Sequence, residues 1–527
     1  MTFKASQNKL IHIITFYTLA LLITGFITFG TIGHIKLRHF IYNFIIFIVF
    51  SYFNKINKYL YIPLLIIVTF YFPIGIDYGI PNSHLISSLL YTNVDEAIGF
   101  MNNIPLYYFL LSIITIFLII LNYRFLYKTN YRINKKLLYL LLIALLSTMI
   151  IDKATRARFF NSYYPFGFYY STYSNFKLAQ KEYEDSLNFK SEWQIKKIND
   201  TGYNNFVLVI GESLRKDYLS AYGYPIKTSP FLNNINGTFL DGLIAPSYTT
   251  AASLSRMLTL NNSIENIEIR INYKENIIDL ANIAGFETFW LSNQGRYGSS
   301  INWSPPASVI GKRSKYTYFL QTHESNSNRI RDHRLLEPFK NVLNNNGNKK
   351  KFIILHLMGS HLPACDRVDN IESFFKGHPN GIQYECYLQS VNETDKLLKS
   401  LYTELKLKET KSGEKFTLMF FSDHGQGQDN ERLRHNGHVK QGYEVPFVII
   451  NSDDTMHKMI KAQHSGINMV SILANWLGVE TYNIPNKYNI FSEESDSNIT
   501  VLGNTSNLSK IVKFKDLKDD KVINPLQ

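Results

Sequence analysis

Cysteine is scarce in this chain: Cys365 and Cys386 are the only two among 527 residues. One disulfide is the most they can form. In an oxidising compartment such a pair is expected to bond, with two free buried thiols as the alternative that sequence leaves open. The first apolar stretch lacks a small-residue cleavage site and is followed by more of its kind, which excludes a cleavable signal peptide. There is no internal repeat. No base-reading motif accompanies the net charge of +13, so nucleic acid is not the expected partner. Much of the excess charge sits in short breaks between apolar runs, where anionic lipid headgroups are the fitting counter-charge.

Those apolar runs fill residues 1–152 and read as five membrane spans: Leu10 to Ile32, Ile35 to Phe53, Tyr59 to Ile76, Ile104 to Leu121, and Leu137 to Ile151. The loop between the third and fourth has no Lys or Arg, only Asp77, Asp95 and Glu96. Lys4, Lys9, Lys55, Lys58, Arg124, Lys128, Arg132, Lys135 and Lys136 fall in the alternate loops. The positive-inside rule therefore places the amino terminus in the cytoplasm and everything after the fifth span on the outer side. The stretch His34-Ile35-Lys36-Leu37-Arg38-His39 runs against this pattern, being basic on the expected outer face.

Residues 153–200 read as an interfacial linker. Phe159 to Tyr173 is aromatic and basic, a composition suited to the bilayer surface, and Lys177 to Lys197 is charged with helical periodicity. From 201 to 500 strands alternate with helices, the pattern of a mostly parallel sheet covered on both faces. The expected strands are Phe206 to Ile210, Thr288 to Leu291, Phe352 to Met358, Phe416 to Phe421 and Phe447 to Ile450. The expected helices are Ile277 to Ala284, Tyr384 to Leu405 and Ile467 to Leu477, the last stopped by Gly478. The tail, 501–527, reads as loosely ordered.

Chemistry gathers at strand ends. Phe416 to Phe421 runs into Ser422-Asp423-His424-Gly425, and Phe206 to Ile210 into Gly211-Glu212-Ser213. Carboxyl ends of strands in an open α/β sheet border a crevice, and carboxylates with imidazole suit zinc or manganese. His361 follows a third strand, and His435 and His438 supply further imidazoles. His356 lies within a strand and reads as packed. For a nucleophile, Ser247 to Met257 brings hydroxyls into the start of a helix, where amide dipoles favour an attached phosphate and a metal can activate the oxygen. An ordinary helix cap is the competing reading of that run.

Taken together these features resemble the phosphoethanolamine transferases of the bacterial envelope, in the alkaline phosphatase and sulfatase superfamily. The resemblance rests on Val207 to Asp217, Tyr222-Gly223-Tyr224, Thr228-Ser229-Pro230, Trp290 to Gln294, Gly359-Ser360-His361 and Ser422 to Gly425. It implies an α/β fold: a five-helix amino-terminal membrane domain plus an outer α/β/α sandwich of the alkaline phosphatase/sulfatase type. It implies Thr250 as the phosphorylated nucleophile, with Thr249 one register away, and Glu212, Thr250, Asp423 and His424 as the metal set. His361, Asn293, and His435 or His438 would face substrate, His435 being favoured. Glu96 would meet the headgroup, although Ser88 stands where many members have asparagine.

The implied cofactor is one firmly held Zn2+, with a second arriving with substrate, and Mn2+ as a substitute. The implied partners are a phosphatidylethanolamine donor, a lipopolysaccharide or other envelope glycan acceptor, and membrane lipids. The protein would act as a monomer in the inner membrane with its catalytic domain in the periplasm. A phosphoglycerol transferase of similar topology is the nearest alternative. A sulfatase or phosphatase is another, but no Cys/Ser-x-Pro-x-Arg motif lies at Thr250. A catalytically dead receptor is the third.

Overall fold

The structure is a computed structural model that describes residues 2–81, 85–86, 101, 104–155, 159–261, 271–297, 305–321, 330–345, 347, 349–429, 432–503, 510–520 and 522. Two compact units divide the chain. One is built from Met1–Ser87, Asn102–Lys181 and Thr505–Leu508, the other from Ser88–Met101, Glu182–Asn504 and Ser509–Gln527.

The first unit is helical. Among its described residues three helices are long and apolar enough to cross a membrane: Leu10–Ile32, Leu106–Thr129 and Lys135–Thr155. The second and third expected spans become Leu37–Tyr52 and Asn54–Phe70, which satisfy that test only as a pair and are bent by 113°. The bend falls at Phe53, with Pro63 in the first turn of the helix Ile62–Phe70. Five separate spans are therefore an expectation that helix length by itself does not settle.

Within the aromatic linker the rings divide: Tyr163, Tyr164 and Phe168 are buried among helix residues such as Tyr42, Phe47, Leu65 and Val68, while Tyr170 and Tyr173 are exposed. Tyr163 stacks on Tyr42 with ring centroids 4.8 Å apart. The following helix ends at Leu187 rather than continuing to Lys197. Ile195–Ile198 instead forms a strand, β1, antiparallel to Val479–Thr481.

The second unit is organised by a nine-stranded sheet. Its strands are β2 (Asn205–Gly211), β3 (Gly237–Ile244), β4 (Glu287–Ser292), β5 (Tyr316–Phe319), β6 (Lys351–His356) and β7 (Phe416–Ser422). After the short hairpin β8 (Gly427–Asp429) and β9 (Arg432–Arg434), which lies outside the sheet, come β10 (Glu444–Asn451), β11 (His457–Ile460) and β12 (His464–Ser465). The order is β11-β3-β10-β7-β2-β6-β4-β5, with β12 also on β3. β2 pairs in parallel with both β6 and β7, whereas β10 runs antiparallel to β3 and β7. The sheet is thus mostly parallel, as the alternating pattern predicts.

All seven residues of β2 are buried, the mark of a strand covered on both faces. Alternate side chains enter different cores. Phe206, Leu208 and Ile210 join Leu254, Ile277 and Leu473, while Val207 and Val209 join Phe339, Tyr387 and Leu401. Burying each such side chain contributes roughly 1.5–3 kcal/mol. The expected helices appear as Ile277–Ile283, Ile382–Ser412 and Met469–Trp476, and Gly478 adopts the left-handed φ of 76° that stops the last.

The tail is not loose throughout. Thr500–Gly503 pairs antiparallel with Lys510–Lys513, and Val501 and Phe514 are buried against Ile244 and Tyr443. The cross-strand pair Val501–Val512 packs on the Ile244 and Tyr443 side and Leu502–Ile511 on the Ala252 and Ile467 side, so this short ribbon has an apolar pair on each face. Cys365 and Cys386 are joined as a disulfide, S–S 2.09 Å, closing a loop of 21 residues onto the helix Ile382–Ser412. Replacing both with serine is expected to lower the unfolding free energy of the full chain by about 2–4 kcal/mol. Urea denaturation followed by circular dichroism checks it, and an unchanged midpoint would count against a structural role for the bridge.

Candidate active site

Three adjacent strands, β6, β2 and β7, end side by side, and the turns beyond them hold the chemistry. Beyond β2 the chain turns sharply: Ser213 takes a left-handed φ of 57°. Its amide donates to Asp423 Oδ1 at 3.1 Å and its hydroxyl to Glu212 Oε1 at 2.7 Å. The turn after β6 presses on this one from the side. Gly359 has φ 50°, and a Cβ there would lie 2.8 Å from both the nitrogen and the carbonyl oxygen of Glu212, so no other residue fits without displacing the turn.

Glu212, Asp423 and His424 thereby meet, with one donor atom from each within 4.8 Å of the others. All three are buried. His424 Nε2 lies 3.3 Å from Glu212 Oε1 and 3.5 Å from Asp423 Oδ2. Its Nδ1 is 2.6 Å from the Gly425 carbonyl oxygen, so Nδ1 carries the donated proton and Nε2 faces the carboxylates. Thr250 opens the helix Thr250–Met257, and Thr249 occupies its N-cap. The Thr250 hydroxyl donates to Glu212 Oε2 at 2.9 Å and lies 3.3 Å from His424 Nε2. Ser253, one turn on, donates to the Asp423 carbonyl at 2.6 Å and fixes that helix to the β7 turn. Thr250 is only partly buried, so its hydroxyl can be reached from outside the cluster.

The other expected residues divide. His435 places its ring 4.9 Å from that of His424 and 5.9 Å from that of His361. His361 Nδ1 is held by the Leu362 carbonyl at 2.7 Å. His438 is exposed, its backbone nitrogen donating to Asn436 Oδ1. Asn293 is buried and donates to Asp332 Oδ1 at 2.8 Å and to the Ile330 carbonyl at 2.9 Å. Glu96 and Ser88 lie outside the described residues. His356 is buried at the end of β6, with its ring 5.4 Å from that of Trp290.

Two contributors were missed in the sequence. Gln294 Nε2 donates to Glu212 Oε2 at 3.0 Å and to the Leu357 carbonyl at 2.9 Å, orienting the carboxylate. Neighbouring side chains beyond a strand end diverge, so the residue after Asn293 was the one to consider. Asp332 accepts from the amides of Met358 and Gly359, each at 2.8 Å, and so anchors the turn leading to His361. No motif announces it.

The three buried groups shift one another's titration. Burial pushes the Glu212 carboxyl up, but His424 and His361 outweigh it and hold it well below the usual range. For Asp423, burial and then the charge of Glu212 act together, pushing it up to about 8. Burial works against the His424 imidazolium, yet Asp423 and Glu212 raise it to about 9. Asp423 Oδ2 makes no hydrogen bond although it is buried, an acceptor left for something else. Two carboxylates, one imidazole nitrogen and a hydroxyl fit a divalent cation of the zinc type.

Candidate metal donors at strand ends facing a helix-borne hydroxyl are an arrangement suited to a hydrolytic or group-transfer enzyme of the α/β class. Comparison with known proteins agrees. The Sulfatase family profile matches residues 204–479. Phosphoethanolamine transferase OpgE of Escherichia coli is 31% identical over 447 residues, 80% of each chain. A putative phosphoethanolamine transferase of Haemophilus influenzae is 32% identical over 369 residues, 69% of this chain and 73% of that one. The chain belongs to the sulfatase family and, within it, to the phosphoethanolamine transferases. Two solved structures share the fold. The integral membrane lipooligosaccharide phosphoethanolamine transferase EptA of Neisseria meningitidis has TM-score 0.57 and 18% identity, covering 91% of this chain and 97% of its own. The zinc complex of the carboxy-terminal periplasmic domain of Escherichia coli EptC has TM-score 0.52 and 22% identity, covering 62% of this chain and 97% of its own.

Because Asp423 and His424 hold protons up to about 8 and about 9, cation binding must release them. Zn2+ affinity is expected to rise with pH between 6 and 8, by about tenfold per unit for each proton displaced. Calorimetry in two buffers of different ionisation enthalpy counts those protons; a pH-independent affinity would contradict the assignment.

Proposed function

We propose that this chain is a zinc-dependent, membrane-bound transferase that moves phosphoethanolamine from phosphatidylethanolamine to a hydroxyl of an envelope acceptor such as lipopolysaccharide, releasing diacylglycerol. The observation that carries the reading is the Thr250 hydroxyl at a helix start, 2.9 Å from a buried carboxylate of the three-residue donor cluster. The EptC domain solved with zinc supports that choice of ion. Glu212, Asp423 and His424, joined by Thr250, would hold it, with Mn2+ acceptable to the same donors. When bound, such an ion stabilises charge on phosphoryl oxygens and acidifies the hydroxyl.

The chain's own groups account for the rest. Glu212 Oε2 orients Thr250 Oγ1 and draws on its proton. In the first step an Oγ1–P bond forms and the P–O bond to the glycerol breaks, the hydroxyl proton ending on departing diacylglycerol. In the second, an acceptor oxygen bonds to phosphorus, the Oγ1–P bond breaks, and the acceptor's proton returns to Oγ1. His435, whose ring contacts those of both His424 and His361, would with His361 donate hydrogen bonds to phosphoryl oxygens, and the amides opening the helix Thr250–Met257 would add to them. Asn293 serves by fixing the loop that carries Gln294; His438 and Glu96 are assigned to acceptor and headgroup. We further read the first unit as five spans, the second as a periplasmic α/β/α sandwich, and the enzyme as a monomer. Anchoring beside the donor avoids extracting a diacyl lipid into water, at about 0.8 kcal/mol per CH2.

Mass spectrometry of envelope glycolipids with and without the gene is expected to show a gain of one phosphoethanolamine group, abolished in Thr250→Ala. A phosphoglycerol gain would establish the alternative headgroup, and no change would refute the transferase reading. Purified full-length Glu212→Ala is expected to lose zinc while keeping its circular dichroism. Zinc retained at one per chain would refute the ligand set.

A further inference from the structure

The tail beyond Gly503 does more than pack. Its apolar contacts are made by Val512, Phe514 and Leu517. Lys518, Asp519 and Asp520 follow, and these reach the loop that carries His435. The Lys518 backbone runs beside Val439 in a parallel bridge. Its amide donates to the His438 carbonyl at 3.2 Å, and its carbonyl accepts from the Lys440 amide at 2.9 Å. Asp519 accepts from the Gln441 side-chain amide at 3.0 Å and pairs with Lys440 Nζ at 3.1 Å. The Asp520 amide donates to Gln441 Oε1 at 2.8 Å. Successive tail residues are therefore bonded along residues 438–441.

The Asp520 carboxylate then bridges to two other elements. Arg215, just past the Glu212 turn, has a fully buried side chain. Its Nε and Nη2 donate to Asp217, Nη1 to Asp520 Oδ2 at 3.1 Å, and Nη2 also to the Asp520 carbonyl at 2.8 Å. A guanidinium so buried needs negative charge beside it, and one of its two acids comes from the tail. The same carboxylate accepts from the Gln428 backbone amide through Oδ2, and from the Gln428 side chain through Oδ1 at 3.2 Å. Gln428 is the middle residue of β8.

The hairpin depends on such support. β8 and β9 are short and pair with each other outside the large sheet. A two-stranded hairpin of that kind has little stability of its own. His435 is the first residue after β9, so its place beside His424 depends on what holds the hairpin. Leu433 gives an apolar anchor, and Tyr218 donates to Gln428 Oε1. Asp520 joins the hairpin both to the Arg215 turn and, through Gln441, to the far end of the His435 loop.

We propose that Asp520 is a positioning residue for the transfer. The tail is a strap whose carboxylate holds the β8–β9 hairpin against the turn after β2, and so keeps the His435 ring beside those of His424 and His361. Asp520 bonds to Arg215, Gln428 and Gln441 rather than to the metal donors, so it acts through His435. The inference rests on the role proposed for His435 at the phosphoryl group. Packing of Phe514 and Leu517 accounts for the tail's attachment, but not for a carboxylate set against a buried guanidinium and a strand amide at once.

Two readouts on full-length protein in mild detergent separate the strap from the reaction. The first is the rate at which diethyl pyrocarbonate modifies each histidine, followed by mass spectrometry of peptides. Asp520→Ala is expected to raise the rate at half-buried His435 about fivefold through local opening, and to leave exposed His457 unchanged. Asp520→Asn, which keeps an acceptor but loses the charge facing Arg215, should fall between. The second readout is release of labelled diacylglycerol from phosphatidylethanolamine. Asp520→Ala is expected to lower kcat about tenfold, with KM for the lipid and zinc content unchanged. Added to His435→Ala it should cause no further loss, because residues acting through one group are not additive.

If Asp520→Ala does not fold, Asp520→Asn and Gln441→Ala, which cuts the strap at its other end, decide. Asp516→Asn, an exposed acid on the same tail, should match wild type in both readouts. Unchanged His435 reactivity overturns the strap. Two kcat losses that multiply in the double variant make Asp520 a general structural residue and overturn its positioning role. Raised His435 reactivity with turnover intact upholds the strap and places the failure with the role proposed for His435. If wild type releases no diacylglycerol, the transferase reading fails and the first readout alone decides the strap.

Discussion

Two carboxylates and an imidazole, all buried side by side, are the constraint around which the second unit is arranged. Glu212 and Asp423 repel each other, and burial adds to the penalty. Left to relax, those side chains would turn to solvent. They stay because each is clamped by groups that do no chemistry: Ser213 by its amide and hydroxyl, Gln294 by its side-chain amide, His424 by its own backbone nitrogen at 2.7 Å from Asp423 Oδ1. Part of that repulsion is relieved by a proton on Asp423, whose carboxyl is pushed up to about 8.

The sheet supplies the rigidity. β2 lies between β6 and β7 with parallel register on both sides, so the three turns emerge at one level. The two apolar clusters, one for each alternation of β2, leave the strand no freedom to slip, since a one-residue shift would exchange its faces. Helix Ile382–Ser412 extends this control to the turns themselves. Tyr387 Oη donates to the Ser213 carbonyl and accepts from the Arg215 amide, each at 3.0 Å, and Ser390 donates to Ser360 at 2.9 Å. The disulfide at Cys386 adds a third attachment. A long surface helix thus fixes both flanks of the donor cluster.

The first unit follows a different logic. Several of its buried polar groups satisfy one another in pairs: Asn43 donates to Thr28 and accepts from the Tyr164 amide, and Tyr163 donates to Asp152. These pairs join the aromatic segment after the last long helix to the helices before it. Composition alone marks that segment as aromatic. Which rings turn inward was decided by the helices available to receive them.

Much was legible from the chain alone. Uninterrupted apolar runs fixed β2, β4, β6, β7 and β10, because a strand buried on both faces has no other way to be written. The polar residues ending those runs located Glu212, Asp423, His424 and His361. β3 escaped notice because Asp241 and Gly242 interrupt it, and it is held by pairing with β10 and β11 rather than by its own pattern. Gln294 and Asp332 were invisible for a related reason. Their roles come from loops brought together across the sheet, 82 residues apart in the case of Gln294 and Glu212. Local sequence determines where a chain must be buried and which groups stand at the rim. Only the packed structure decides which of those groups share one cavity, because that depends on distances no local pattern carries.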